Sequence, residues 1–295
     1  MTTILSTSPI APVPLRIRAV PATAVLVGHP RCGSTMVCAL LGRQPAWLTL
    51  SEPFLAHAVA PDWKLRRFFL ALARKRNLRR RPPPRRERAV KFHHYLQALV
   101  CDNRLDRLVL KETFRASPPH ADWHNVEQLD WLTGENAAVA ALVRDPRATA
   151  ASTLRLCRWV IGWSGRAIAL RWPATPVFRS ADHVVEWSAS NWVKYVEWTE
   201  RRALPVTRYE DFVAEPAVGL ARLCERLRLP FEHDVLLDPD RPTLFWGMGD
   251  PEVVRRPPRL VHRDAVPRGR QLTPRHAEIV RRICAPVAER FGYAL

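Results

Sequence analysis

Ala24-Val-Leu-Val-Gly28-His-Pro-Arg31-Cys-Gly33-Ser-Thr35-Met-Val-Cys-Ala-Leu-Leu41 decides the fold. It reads as a buried strand, a tight glycine loop and the first turns of a helix. In such a loop Gly28 and Gly33 let backbone N–H groups converge, and the helix start adds unpaired donors and its positive dipole end. The stretch is therefore a phosphate cradle. Its spacing nearly fits G-x-x-x-x-G-K-[ST], but Ser34 stands where the lysine belongs. A kinase or NTPase needs that ammonium on the β and γ phosphates. Here the fixed charge is Arg31, inside the loop, which suits a nucleotide without a γ-phosphate.

Working outward, four apolar runs read as strands: Ala24 to Val27, Arg107 to Leu110, Ala138 to Val143 and Leu204 to Tyr209, with a fifth at Trp47 to Leu50. Helical periodicity fills the intervals at Thr35 to Leu41, Arg147 to Trp159, Asp182 to Arg202 and Ala217 to Leu229. The alternation predicts an α/β fold, a P-loop-like parallel β-sheet of four to five strands with helices on both faces. Ligands of such sheets bind beyond the carboxyl ends of the strands. The residues there are the cradle, Ser51-Glu52-Pro53, Lys111, Arg144-Asp145-Pro146-Arg147, and Glu210 with Asp211. One cleft collects a phosphate loop, a carboxylate, an ammonium and a guanidinium.

At 295 residues and 47% hydrophobic, the chain reads as a single domain over 1–295 with a basic helical insertion at about 62–91. No positive start and apolar core marks Met1 to Pro14, and no run approaches the roughly 18 apolar residues of a span. The expectation is a cytoplasmic protein without a transmembrane segment. Six cysteines without a C-x-x-C pair signal neither a metal site nor a disulfide framework. The net charge is +18, of which +12 falls in Lys64 to Lys91. Such a field draws anions. Within it Leu65, Phe68, Phe69 and Leu72 form an apolar stripe. That stripe suits a core-packed helix with a basic outer face, or a helix contacting a membrane surface or acidic partner. The tryptophans at 159, 163, 172, 187, 192 and 198 could stack on a sugar or base, but at helical spacing most of them read as core.

The second motif is Val143-Arg144-Asp145-Pro146-Arg147, continuing to Ser152. Asp145 fits an N-cap and Pro146 the first helical position. Arg144 and Ser152, eight residues apart, suit a charged clamp and a hydroxyl around one phosphate.

With these motifs the chain resembles the sulfotransferases that use 3′-phosphoadenosine 5′-phosphosulfate (PAPS), most of all their carbohydrate and tyrosylprotein branch. Pro30 to Thr35 resembles that family's 5′-phosphosulfate loop, and Arg144 with Ser152 its 3′-phosphate motif. Ser51-Glu-Pro-Phe54 is similar to the segment holding the catalytic glutamate, and Val206 to Phe212 to the strand whose aromatic residue lies near the nucleotide. The resemblance implies PAPS as donor and no metal. It assigns the cofactor to Arg31, the N–H groups of Cys32, Gly33, Ser34 and Thr35, Arg144, Ser152 and Tyr209. Glu52 would be the general base, with a pKa raised by partial burial, and Lys111 would stabilise the leaving oxygen. Arg263 and Arg268 are weaker 3′-phosphate candidates. His29 is an alternative base, and His93, His94 and His120 fall near the expected cleft. The implied acceptor is a hydroxyl-bearing small molecule or glycan, with an anionic one favoured by the charge. A P-loop kinase or NTPase, and a basic nucleic-acid-binding protein, are the rival readings.

Overall fold

A computed structural model describes residues 22–54, 89–116, 125–134, 137–157, 178–247, 249–250, 253 and 272–295. Six parallel strands form one sheet: β1 (Thr23–Gly28), β2 (Trp47–Ser51), β3 (Arg107–Thr113), β4 (Ala138–Val143), β5 (Val206–Arg208) and β6 (Trp246–Gly247), in the order β5-β4-β1-β3-β2-β6. The first five are those expected from the sequence. The two-residue β6 is added at the edge beside Leu50 and Ser51.

Every residue of β1 and β2 is buried, as continuous apolar strands require when helices cover both faces. One face packs on α1 (Ser34–Leu41), α6 (Tyr209–Ala214) and α7 (Pro216–Arg226), around Leu26, Val37, Leu40, Phe212 and Leu220. The other packs on α2 (Ala89–Asp102), α3 (Val126–Gly134), α4 (Pro146–Cys157), α5 (Ala181–Arg201) and α9 (Pro274–Ala288). Its core includes Phe92, Leu129, Ala150, Trp192, Trp198 and Val280. A short α8 (His233–Leu236) completes the numbering.

Local chemistry fixes the helix starts nearest the cleft. Asp145 Oδ1 accepts from the N–H groups of Arg147 at 2.7 Å and Ala148 at 3.0 Å, so it caps α4 as expected. Helix α4 begins one residue before the expected range and is described to Cys157; Trp159, Trp163 and Trp172 lie outside the described residues. Strand β5 is shorter than expected because Tyr209 already opens α6, which carries Glu210 and Asp211. Trp192 and Trp198 are core residues, and the indole of Trp192 donates to Arg144 O at 2.8 Å.

Strand order decides where a ligand sits. From β1 the chain runs out to β2, returns to β3 between them, and then crosses to β4 on the other side. The crevice of such a sheet opens beyond the carboxyl end of β1, where connections diverge. That end is Gly28, paired with Thr113 of β3 and Leu142 of β4. The basic stretch from Lys64 to Arg88 lies outside the described residues, as do Arg263, Arg268 and His120.

Candidate active site

The cradle forms where β1 turns into α1. Gly33 has φ 94 and serves as the N-cap of α1, a left-handed conformation that suits a residue without Cβ. A Cβ there would also lie 2.3 Å from the ring of Tyr209. Gly28 is constrained by space alone, since a Cβ would lie 2.4 Å from Cys32 Sγ. Arg31 adopts φ 69, in the left-handed region. Cys32 is fully buried, and burial pushes its thiol above the ordinary value, which disfavours the thiolate a nucleophile needs.

Two motifs far apart in sequence meet at this loop. Arg31 Nε donates to Ser152 Oγ at 3.1 Å, and Arg144 Nη1 donates to Arg31 O at 3.2 Å. The Arg144 guanidinium lies 4.5 Å from the centre of the Tyr209 ring, a cation–π geometry. Tyr209 is thus wedged between Gly33 and Arg144, and the cofactor residues expected from sequence form one cluster. Ser34 and Thr35 open α1, and Thr35 Oγ1 accepts from Asp250 N at 3.2 Å.

A second cluster lies at the ends of β2 and β3. Glu52 follows β2 directly with φ 53, and its side chain is 7% exposed. Lys111 Nζ donates to Glu52 Oε1, as does Thr113 Oγ1 at 2.7 Å, and Arg115 Nη2 donates to Oε2 at 2.8 Å. Lys111 Nζ also reaches Thr113 Oγ1 at 2.9 Å. Burial alone would raise the pKa of Glu52, but the charges of Lys111 and Arg115 outweigh it and hold the carboxyl far below the usual range. The expected upward shift is therefore reversed, because the pocket that buries Glu52 also lines it with cations.

On the opposite face of β3, Glu112 is 2% exposed and accepts from Phe54 N at 3.1 Å. Burial first, and the nearby Glu52 charge second, raise its pKa to about 8. The two neighbouring carboxyls are pushed apart in opposite directions.

Several expected residues lie elsewhere. His93 bonds Thr23 at the amino end of β1 at 3.2 Å and packs edge-on against Trp131, so it faces the wrong end of the sheet for the cleft. His94 is exposed on α2. His29 is buried in the loop: its Nδ1 faces Pro30 O at 3.0 Å, and burial lowers its pKa to about 3. Three contributors carried no sequence signal that was used. These are Arg115, Asp250, whose Oδ2 accepts from Arg31 Nη2 at 2.8 Å, and Tyr293, whose hydroxyl donates to Glu210 Oε2 at 2.9 Å. Arg115 was legible in principle, since Lys111, Thr113 and Arg115 alternate on one side of an extended chain.

Among the described residues no group of three or more histidine, cysteine or acidic side chains could hold a metal ion, and no helix is long and apolar enough to cross a membrane.

Comparison with known proteins places this geometry. The model of the sulfotransferase family matches residues 24–233. The sulfotransferase domain of the Synechococcus PCC 7002 olefin synthase is similar in structure, with a TM-score of 0.55 at 19% identity over 93% of this chain and 96% of that one. The sulfotransferase domain of the curacin biosynthetic pathway gives 0.56 at 18% identity, over 94% and 100%. No curated protein matches the chain. At such identities the structural likeness speaks for the fold.

Proposed function

The chain belongs to the sulfotransferase family, and from that premise we propose that it moves the sulfuryl group of PAPS to the hydroxyl of a small molecule or glycan. The meeting of the two phosphate motifs carries the reading: Arg31 and Ser152 are 3.1 Å apart and Arg144 bonds the loop itself. A nucleotide with a phosphate at each end of its ribose needs two anion subsites side by side. The loop N–H groups of Cys32 to Thr35 and Arg31 suit the 5′-phosphosulfate. Arg144 and Ser152 suit the 3′-phosphate, and the Tyr209 ring flanks them.

Sulfuryl transfer resembles phosphoryl transfer, with in-line attack and a loose transition state. The acceptor oxygen forms a bond to sulfur as the bond from sulfur to the 5′-phosphate oxygen breaks. The electron pair leaves on that phosphate oxygen, where Lys111 neutralises the developing charge. The acceptor proton passes to Glu52. Its low proton affinity is compatible with this role, because the proton becomes acidic only as the new S–O bond forms. No step needs a metal, since side chains and amides supply the positive charge.

The kinase and NTPase reading lacks the loop lysine. The nucleic-acid reading rests on charge alone, with no recognisable module. Thermal melting with 3′-phosphoadenosine 5′-phosphate (PAP), with ATP and magnesium, and with duplex DNA separates the three. PAP at about 100 times its Kd should add roughly 2.7 kcal/mol of stability. Equal stabilisation by ATP would return the kinase reading to the front, and stabilisation by DNA alone the binding-protein reading. A screen of hydroxyl compounds by mass spectrometry, scored for a gain of one sulfuryl group, then identifies the acceptor.

A further inference from the structure

With Glu52 as the base of the proposed transfer, we propose that Arg115 is its positioning residue, aimed by a strand extension built for that purpose.

Strand β3 ends at Thr113, yet the chain continues beyond it with every backbone group from Thr113 O to Ala116 N bonded. Phe114 N donates to Gly28 O at 2.8 Å. Asn125 then clasps the next residue: its Oδ1 accepts from Arg115 N at 2.8 Å, its N donates to Arg115 O at 3.1 Å, and its Nδ2 donates to Thr113 O at 2.7 Å. Asn191, buried on α5, accepts from Ala116 N at 3.0 Å and donates to Phe114 O at 3.3 Å. Two asparagine side chains thus replace the neighbouring strand that this stretch lacks. Alternation along extended chain sends positions 111, 113 and 115 to the same side. All three donate to Glu52.

The arrangement solves a conflict of duties. Lys111 is required at the leaving oxygen of the donor, yet it also donates to Glu52 Oε1. Arg115 holds Oε2 and keeps the carboxylate fixed and charged when Lys111 turns to the donor. Lys111 and Arg115, from β3 and its extension, face Glu52, while Glu112 on the opposite face of β3 and Cys38 of α1 also feel its charge. Glu112 holds its proton up to about pH 8, and burial raises Cys38 to about 12. Neither replaces Arg115 as a source of positive charge.

The test compares the wild type, Arg115→Lys, Arg115→Met, Glu52→Gln and the double variant Arg115→Met/Glu52→Gln. Calorimetry with PAP and the pH profile of PAPS hydrolysis, with water as acceptor, are the readouts. PAP should bind every variant within about threefold of the wild type, because Arg115 serves Glu52 and not the nucleotide. Arg115→Met should lose roughly tenfold or more in turnover. Its acid limb should move up by about one to three pH units, the scale of losing a neighbouring opposite charge. Arg115→Lys should restore the acid limb, though not the full rate. An unmoved acid limb in Arg115→Met overturns the proposal. So does a loss of PAP affinity matching the loss of turnover, which would put Arg115 in the donor site. Melting provides a readout independent of the donor: the double variant should melt no lower than the worse single one, whereas additive losses would deny the coupling. If the wild type did not bind PAP at all, the donor reading would fall while this melting cycle still decided whether Arg115 holds Glu52.

Discussion

Arg31, the one fixed cation inside the glycine loop, donates to Asp250 Oδ2 at 2.8 Å, with both side chains partly exposed. The carboxylate occupies the charge partner that a phosphosulfate would need. Asp250 N also donates to Thr35 Oγ1, so the segment after β6 lies directly on the cradle. Asp250→Asn should therefore tighten PAP binding about fivefold, or about 1 kcal/mol, the upper range for a partly solvated ion pair. Isothermal titration checks this. In an Arg31→Ala background the gain should vanish; if it persisted, Asp250 would be acting through the general field and not through Arg31.

Arg144 and Glu52 should divide the work. Arg144→Ala should weaken PAP binding by about 1.5 to 3 kcal/mol, the scale of a charge-assisted hydrogen bond. Glu52→Gln should leave PAP affinity nearly intact and slow transfer by about 10² to 10⁴. The same substitution leaves the ammonium of Lys111 and the guanidinium of Arg115 buried without their anion, so the ligand-free protein should lose about 3 to 5 kcal/mol of stability. Kinetics should thus be measured where melting shows the variant folded. Wild-type turnover in Glu52→Gln would make the base assignment wrong and turn attention to His29.

Stability should depend on pH through two carboxyls of opposite sign. Glu52 has a depressed folded pKa, so its contribution is present above the ordinary carboxylate range and is lost only as pH falls through that depressed value. Glu112 has a raised one, from 4.5 to about 8, so its contribution is full below about 4.5 and is lost as pH rises toward 8. Each pH unit in that window costs about 1.4 kcal/mol. Glu112→Gln keeps an acceptor for Phe54 N and should flatten the decline, as denaturant melts from pH 5 to 8 would show. An unchanged slope would mean that Glu112 is not the group responsible.

Gly33→Ala should abolish PAP binding or displace Tyr209. The position has φ 94, and the new methyl would lie 2.3 Å from the aromatic ring. Loss of PAP-induced stabilisation, with the unliganded melting temperature lowered by a few degrees, is the expected result. Normal binding by Gly33→Ala would show that the loop and the ring can separate without consequence.

Much of this molecule was readable before its structure, for identifiable reasons. Ala24 to Val27 and Ala138 to Val143 are apolar at every position, so their place in a two-sided parallel sheet followed directly. Arg144 and Ser152 lie within nine residues of one strand-to-helix turn, so their approach to the same loop was readable from their spacing. Glu52 stands at a strand end as expected, but the sign of its pKa shift is reversed, because it depends on the charges of Lys111 and Arg115 and the sequence reading rested on burial alone. His93 shows the opposite failure: a polar residue close in sequence to a site can sit on a helix returning to the far end of the sheet. Asp250 and Tyr293 were invisible for a different reason. Their partners, Arg31 and Glu210, lie 219 and 83 residues away, and no local pattern reports such a distance.

The tie from Tyr293 to Glu210 has a further meaning for a chain made from its N-terminus onward. Glu210 Oε1 accepts from Asp145 N, and Arg147 Nη2 donates to Ala294 O. The turn that aims Arg144 is thus braced by residues translated about 150 positions after it. The cradle at Gly28 to Thr35 leaves the ribosome well before the residues that brace Arg144. A nascent chain should accordingly acquire nucleotide affinity in one late step after α9 has emerged, and not gradually as successive strands join the sheet.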